Sequence, residues 1–301
     1  MRLTILFLLF LGSLGPLHGQ IRVHVLGTAQ DAGRPQAGCT QPCCLDSHGQ
    51  ARPHEPVVSL GITQEKGPAF LLEATPDFSA QWNALTALNS GEEARRIFIT
   101  HAHMGHYTGL LYLGREAMNS HLIEVYGSAR LISFLKRDQP WKQLCDLQNI
   151  WPKEWIAPDR ISLENGHMEA LQVPHRDEIS DTYGFIIQGP SKRLLFIPDI
   201  DKWERWEIDL DSLIESVDYA LLDATFYSTE ELPGRNMADI PHPFVLETLK
   251  LSRDWPEEQK AKIYFIHFNH SNPLLDPDSS ASLFVQAAGY HLARTGIHFD
   301  L

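Results

Sequence analysis

The segment Thr100-His101-Ala102-His103-Met104-Gly105-His106-Tyr107-Thr108-Gly109-Leu110 constrains this chain more than any other. Three histidines lie within six residues, directly behind the apolar run Arg96-Ile97-Phe98-Ile99-Thr100. Side chains two apart on an extended backbone leave it on the same side, so His101 and His103 point together. A turn into a helix brings His106 back towards them. Converging imidazoles at a strand end suit Zn, Fe, Mn, Co or Ni. The plainer reading is a polar loop with chance histidines. With 15 His in 301 residues, three so close at a strand-to-helix turn weigh against it.

Other potential ligands sit at the same kind of place. Val173-Pro174-His175, Phe196-Ile197-Pro198-Asp199 and Ile266-His267 each put a metal-binding side chain at the end of an apolar run. Alternating or compact apolar runs predict strands over 21–26, 57–62, 69–73, 96–100, 170–173, 183–187, 193–197, 219–222 and 263–266. Helical spacing marks 78–88, 244–251 and 279–288. Strands interleaved with helices in both halves predict two packed sheets with helices outside.

The N-terminus reads differently from the rest. Arg2 precedes an apolar stretch from Leu3 to Leu11, then small residues and the polar Gln20. That is too short to span a bilayer as a folded helix and has the layout of a cleavable leader. We therefore expect a signal peptide over 1–19 and a single domain over 20–301, secreted or periplasmic, with no membrane contact once the leader is removed. A hydrophobic content of 43% and a charged content of 21% suit a globular chain with a sizeable core. The formal net charge of -13 repels phosphate backbones and argues against a nucleic-acid partner.

The order HxHxxH, His175, Asp199, His267 resembles the metallo-β-lactamase superfamily along nearly the whole mature chain, implying a four-layer αββα sandwich. The resemblance implies His101, His103 and His175 as ligands of a first metal. It implies His106, Asp199 and His267 for a second, with the Asp199 carboxylate bridging and acting catalytically. Asp77 resembles the acidic residue that buttresses the histidine loop. One departure stands out: the superfamily usually has Asp where this chain has Gly105. Glycine cannot ligate, so the second position is expected to have at most three protein ligands and a mononuclear centre becomes an alternative.

A second motif, Gly38-Cys39-Thr40-Gln41-Pro42-Cys43-Cys44, is similar to the cysteine-rich loop of the pyrroloquinoline-quinone biosynthesis protein B group and of a phosphodiesterase associated with carbon–phosphorus lyase. The loop from Asn269 to Leu275 and Asp223-Ala224-Thr225-Phe226 also resemble the biosynthesis group. The resemblance implies a structural zinc on Cys39, Cys43, Cys44 and His270, although the relatives space their cysteines differently. In an oxidising compartment the four cysteines, Cys145 included, have disulfides as the alternative. His242 falls where phosphodiesterase relatives carry a proton donor, and Arg176 puts a guanidinium near His175 for an anionic substrate. Loops 138–160 and 227–243, with Trp141, Trp151, Trp155, Phe226 and Tyr227, are candidate pocket walls.

These features imply one or two transition-metal ions, zinc first with manganese or iron as alternatives, besides the structural zinc. The leading expectation is a metal-dependent hydrolase of a small-molecule phosphodiester, lactone or similar ester. Iron-dependent oxidation is the alternative that the biosynthesis group suggests, although that group tends to lack the first two histidines, which this chain keeps. A non-catalytic, metal-stabilised binding protein is the third. The expected partner is a small molecule, and a second copy of the chain the candidate protein partner.

Overall fold

The computed structural model describes residues 21–89, 93–156, 160–232, 236 and 240–301; the expected leader over 1–19 lies outside them. The first sheet comprises β1 (Arg22–Gly27), β2 (Ser59–Thr63), β3 (Phe70–Leu72), β4 (Arg96–Phe98), β5 (Ile123–Gly127) and β6 (Ile150–Glu154), while β7 (Arg160–Leu163) begins the second. The second continues through β8 (Gly166–Val173), β9 (Thr182–Gln188), β10 (Arg193–Ile197), β11 (Tyr219–Asp223), β12 (Ile263–Ile266) and β13 (His291–Leu292). The last strand, β14 (His298–Asp300), returns to pair with β1. The orders are β14-β1-β2-β3-β4-β5-β6 and β13-β12-β11-β10-β9-β8-β7.

Side-chain alternation turns these strands into four layers. Along β4 Phe98 faces inward, while Ile97 and, just after the strand, Ile99 face outward; in β10 Leu194 and Phe196 face inward, Leu195 and Ile197 outward. The inward set of both sheets forms one central core with Val23, Leu60, Leu72, Phe185 and Ile266. Helix Phe78–Leu88 and helix Ala129–Arg137 cover the outer face of the first sheet, burying Phe78, Leu85 and Leu131. Helices Leu210–Glu215, Val245–Leu251 and Ser280–Ala287 cover the second through Ile214, Val245 and Val285. Strands covered on both faces must be apolar throughout, which is why β4, β10 and β12 read as compact hydrophobic runs. Truncating Phe98 or Phe196 to Ala leaves a hole worth about 3–5 kcal/mol.

Topology decides where the chemistry goes. β3 to β6 run parallel, as do β10 to β13. Parallel strands return through helices, so their carboxyl ends share one edge and leave a crevice there. The strand expected over 96–100 is assigned only to Phe98, but Ile99 still donates to Tyr126 O at 3.0 Å. The expected pocket wall over 138–160 is instead helix Trp141–Asp146 and β6, with Trp141 and Trp155 buried in separate cores.

Candidate metal centre

Four donors gather at the carboxyl edge of the sheets. β4 delivers His101 and His103, β8 delivers His175 through Pro174, and β10 delivers Asp199 through Pro198. His101 Nε2 and His103 Nδ1 are 2.8 Å apart, and His175 Nε2 lies 3.3 Å from that Nδ1. Asp199 Oδ2 is 3.4 Å from His101 Nε2, and its Oδ1 is 3.2 Å from His175 Nε2. Donors held 2.0–2.1 Å from a tetrahedral ion lie about 3.3 Å apart, so this is ligand spacing.

A second set shares Asp199. His106 sits in the short helix Met104–Tyr107, and His267 follows β12 with a positive φ of 67°. Their Nε2 atoms are 3.8 and 3.9 Å from Asp199 Oδ2. Asp31, on the loop after β1, joins them with Oδ1 3.6 Å from His106 Nε2. Among the described residues, Asp31 Oδ1, both ring nitrogens of His106 and His267 Nε2 are buried without a hydrogen-bond partner. A buried polar atom left so costs roughly 1–3 kcal/mol. Several converging on one point fit a cation that satisfies them all.

The outer contacts aim the rings. Thr225 Oγ1 donates its single proton to Asp223 Oδ1 at 2.7 Å, so at 2.8 Å it accepts from His267 Nδ1. The His267 Nε2 lone pair then faces the centre. Asp201 at 3.2 Å does the same for His175, and Glu178 at 3.1 Å from His103 Nε2 turns the Nδ1 lone pair of His103 inward. Partners of this kind fix the tautomer of a metal-binding histidine.

Glu73, directly after β3 with a φ of 71°, places Oε1 3.5 Å from His106 Nδ1 and accepts from Thr100 N at 3.3 Å. The role expected of Asp77 therefore belongs to Glu73. Asp77 lies at the start of helix Phe78–Leu88 and accepts from Val57 N and contacts His54 Nε2, both at 2.8 Å. Burial opposes protonation of His106, but Glu73, Asp31 and Asp199 outweigh it and raise its pKa to about 9. An anionic ring of carboxylates around imidazoles is complementary to a cation.

His242 is brought into the centre as well. It is buried, with Nδ1 2.9 Å from Asp223 Oδ2 and 3.1 Å from Asp199 Oδ1. Burial again opposes its charge, yet the two carboxylates raise its pKa to about 10. Asp223 also accepts from Ile200 N at 3.1 Å, which fixes the backbone beside Asp199. Arg176 is exposed beside His103, whose protonation burial and then the nearby cations oppose.

Residues 69–268 match the β-lactamase superfamily domain, two thirds of the chain and nearly all the donors. The chain belongs to the β-lactamase superfamily. It is 25% identical over 307 residues to coenzyme PQQ synthesis protein B from Methylobacterium sp. (strain 4-46), covering 92% of this chain and 99% of that protein. Zn(2+)-bound PqqB from Methylobacterium extorquens shares its fold, with a TM-score of 0.75, 21% identity and coverage of 93% and 100%. A diphosphatase from the PhnP family aligns with a TM-score of 0.61 and 19% identity over 94% of this chain and 97% of that one.

The superfamily fold here carries a further cluster of Cys39, Cys43, Cys44 and His270. Cys39 and Cys43 Sγ are 3.7 Å apart, and Cys43 and Cys44 Sγ 3.9 Å. Sulfurs held at 2.3 Å around a tetrahedral ion lie about 3.8 Å apart, whereas a disulfide holds them at about 2.05 Å. All four cysteines are free, and Cys145 sits apart from the cluster against Leu135 O. Burial and the neighbouring sulfurs push the Cys43 thiol up to about 12. Without an ion this group therefore favours the neutral thiol, and it is the sulfur spacing that fits a tetrahedral cation.

Asp31, Glu73 and Asp201 escaped the reading of the sequence, which met Asp223 only as part of a motif and gave it no role. The only sign of Glu73 and Asp201 was position, since both sit beyond strand ends as the histidines do. Asp31 gave no such sign. Among the described residues, no helix is long and apolar enough to cross a membrane.

Proposed function

We propose that this chain is a metal-dependent hydrolase of a small-molecule phosphodiester, lactone or similar ester, exported through the leader read over residues 1–19. The observation that carries this reading is a pair of adjoining donor sets sharing Asp199, with imidazole nitrogens turned inward and those of His106 and His267 left without partners. His101, His103, His175 and Asp199 would hold one ion; His106, His267 and Asp199 would take part in a second. Zinc is favoured by the imidazole and carboxylate donors, with manganese or iron as alternatives. A bound ion of this class lowers the pKa of water to about 7 and polarises the scissile group.

The protein's own groups supply the proton traffic. Asp199 is placed to take the proton that the attacking water gives up as its oxygen bonds to the phosphorus or carbonyl carbon. His242, steadied at Nδ1 by Asp223, is placed to return a proton to the leaving oxygen as its bond breaks. Cys39, Cys43, Cys44 and His270 would hold a structural zinc.

Metal analysis of the purified protein beside a His101→Ala/His103→Ala variant, with turnover of bis(p-nitrophenyl) phosphate and of a simple lactone, tests the reading. Zinc or manganese beyond one equivalent, with hydrolysis lost in the variant, supports it. Iron at the centre with dioxygen uptake and no hydrolysis would replace it with the oxidative alternative suggested by the likeness to coenzyme PQQ synthesis protein B. Bound metal without turnover would favour a binding protein.

A further inference from the structure

Gly105 leaves the second donor set without the carboxylate that the superfamily pattern supplies. The space beside it is not empty. A Cβ built on Gly105 would lie 2.3 Å from Asp31 Cα and 2.5 Å from Asp31 Oδ1. No real side chain tolerates such contacts, so the volume that a residue at 105 would fill already belongs to Asp31. The carboxylate has therefore changed its point of attachment, from the histidine loop to the loop after β1.

The backbone holds Asp31 there by pairing it with the segment that presents His267. Gln30 N donates to Phe268 O at 2.8 Å, and Phe268 N donates to Thr28 O at 2.9 Å. Asp31 is thus one residue from a backbone bond to the residue that follows His267. Its φ of 28° is unusual for a side-chain-bearing residue and is closed by a turn from Gly33 N to Gln30 O at 2.9 Å. Gln30 Nε2 donates to Oδ2 at 3.1 Å, leaving Oδ1 buried and without a partner. Facing it are His106 Nε2 and His267 Nε2, likewise without partners, on residues with no solvent exposure.

We propose that Asp31 is a protein ligand of the second metal position, replacing the absent carboxylate at 105 and giving that position four donors: Asp31, His106, His267 and Asp199. This rests on the metal-hydrolase reading above and makes the centre dinuclear. The three ligands expected from the sequence become four because the fourth comes from a loop more than seventy residues earlier in the chain.

The test counts metals and reads their coupling. The wild-type chain, Asp31→Asn, Asp31→Glu and His101→Ala/His103→Ala are loaded with zinc for stoichiometry and with manganese for electron paramagnetic resonance, and folding is checked by circular dichroism. Wild type should hold two ions at the His/Asp centre besides the thiolate zinc, with a spin-coupled manganese signal. Folded Asp31→Asn should lose one equivalent, bind it at least about 10-fold more weakly and give an uncoupled signal. Asp31→Glu should recover part of the coupling. A folded Asp31→Asn that keeps both ions and the coupled signal overturns the assignment while leaving the hydrolase reading intact. A wild-type chain with no ion beyond the thiolate zinc overturns both. If Asp31→Asn fails to fold, a folded Asp31→Glu whose second ion binds more weakly and whose coupling differs from wild type supports the assignment, and an Asp31→Glu identical to wild type in both opposes it.

Discussion

The His/Asp centre and the Cys39, Cys43, Cys44 and His270 cluster are both donor sets at metal-ligand spacing, yet they are built in opposite ways. Donors of the centre hang from the ends of β4, β8, β10 and β12, and most are almost fully buried. The rings of His101, His103, His175 and His267 are each aimed by an outer oxygen. The cysteines lie on an irregular loop, Cys39 and Cys43 are half-buried, and the sulfurs mainly meet one another. A scaffold that exists without an ion can tune the ion's chemistry; a loop that depends on an ion for its shape can only be held by it. Two loops join the clusters: residues 28–44 carry Asp31 and the cysteines, and residues 267–270 carry His267 and His270.

The sharpest way to break this contrast is to remove the centre and ask whether the fold notices. His101→Ala/His103→Ala should lower hydrolysis by about 10³-fold or more, beyond the 10–100-fold typical of outer partners. Its thiolate zinc should remain and its melting temperature should fall little. A large loss of stability would show that the centre, not the sheets, organises the edge.

The reverse experiment is Cys39→Ser/Cys44→Ser. We expect loss of one zinc equivalent and a fall in Tm of roughly 5–10 °C. Activity should fall about 10-fold, because the same loop carries Asp31. Unchanged stability would make the cluster a passive surface feature.

Glu73→Gln probes how finely the scaffold aims a ring. Removing the charge that faces His106 Nδ1 should weaken the second ion about 10–100-fold while the first ion stays. Loss of both ions would place Glu73 in the support of the whole loop instead.

This contrast also explains what the sequence disclosed. Buried parallel strands leave compact runs such as Ile97-Phe98-Ile99 and Ile263–Ile266, so the histidines ending them were visible, and helix 78–88 matched its spacing. Glu73 and Asp77 lie four residues apart behind β3, and spacing cannot say which faces the histidine loop. The positive φ of Glu73 decides it, a property of the folded backbone. Asp31 was hidden for a different reason. Its role depends on a vacancy at Gly105, which only a three-dimensional register between the loops can reveal. Edge elements such as β6, with the exposed Trp151 and a mid-strand Pro152, carried too mixed a pattern to read as strands.

The smallest expected effect concerns the loop that joins the two clusters. Glu231 accepts from Ser271 Oγ at 2.6 Å and from Tyr227 N at 2.7 Å, and burial raises its pKa to about 7. A carboxyl with a folded pKa above its unfolded value of about 4.5 favours the fold while protonated. That contribution is complete below the unfolded value and is lost as pH rises through the folded one. The wild-type protein should therefore lose on the order of 1–2 kcal/mol between pH 5 and pH 8, a discounted figure because Glu231 is not fully enclosed. Glu231→Gln should remove this slope. It also gives up one acceptor, a cost near 1 kcal/mol that is the same at both pH values and so leaves the difference intact. Urea unfolding of both proteins at the two pH values measures it. Equal slopes would mean that Glu231 is solvated and that the loop carrying His267 and His270 is looser than its hydrogen bonds imply.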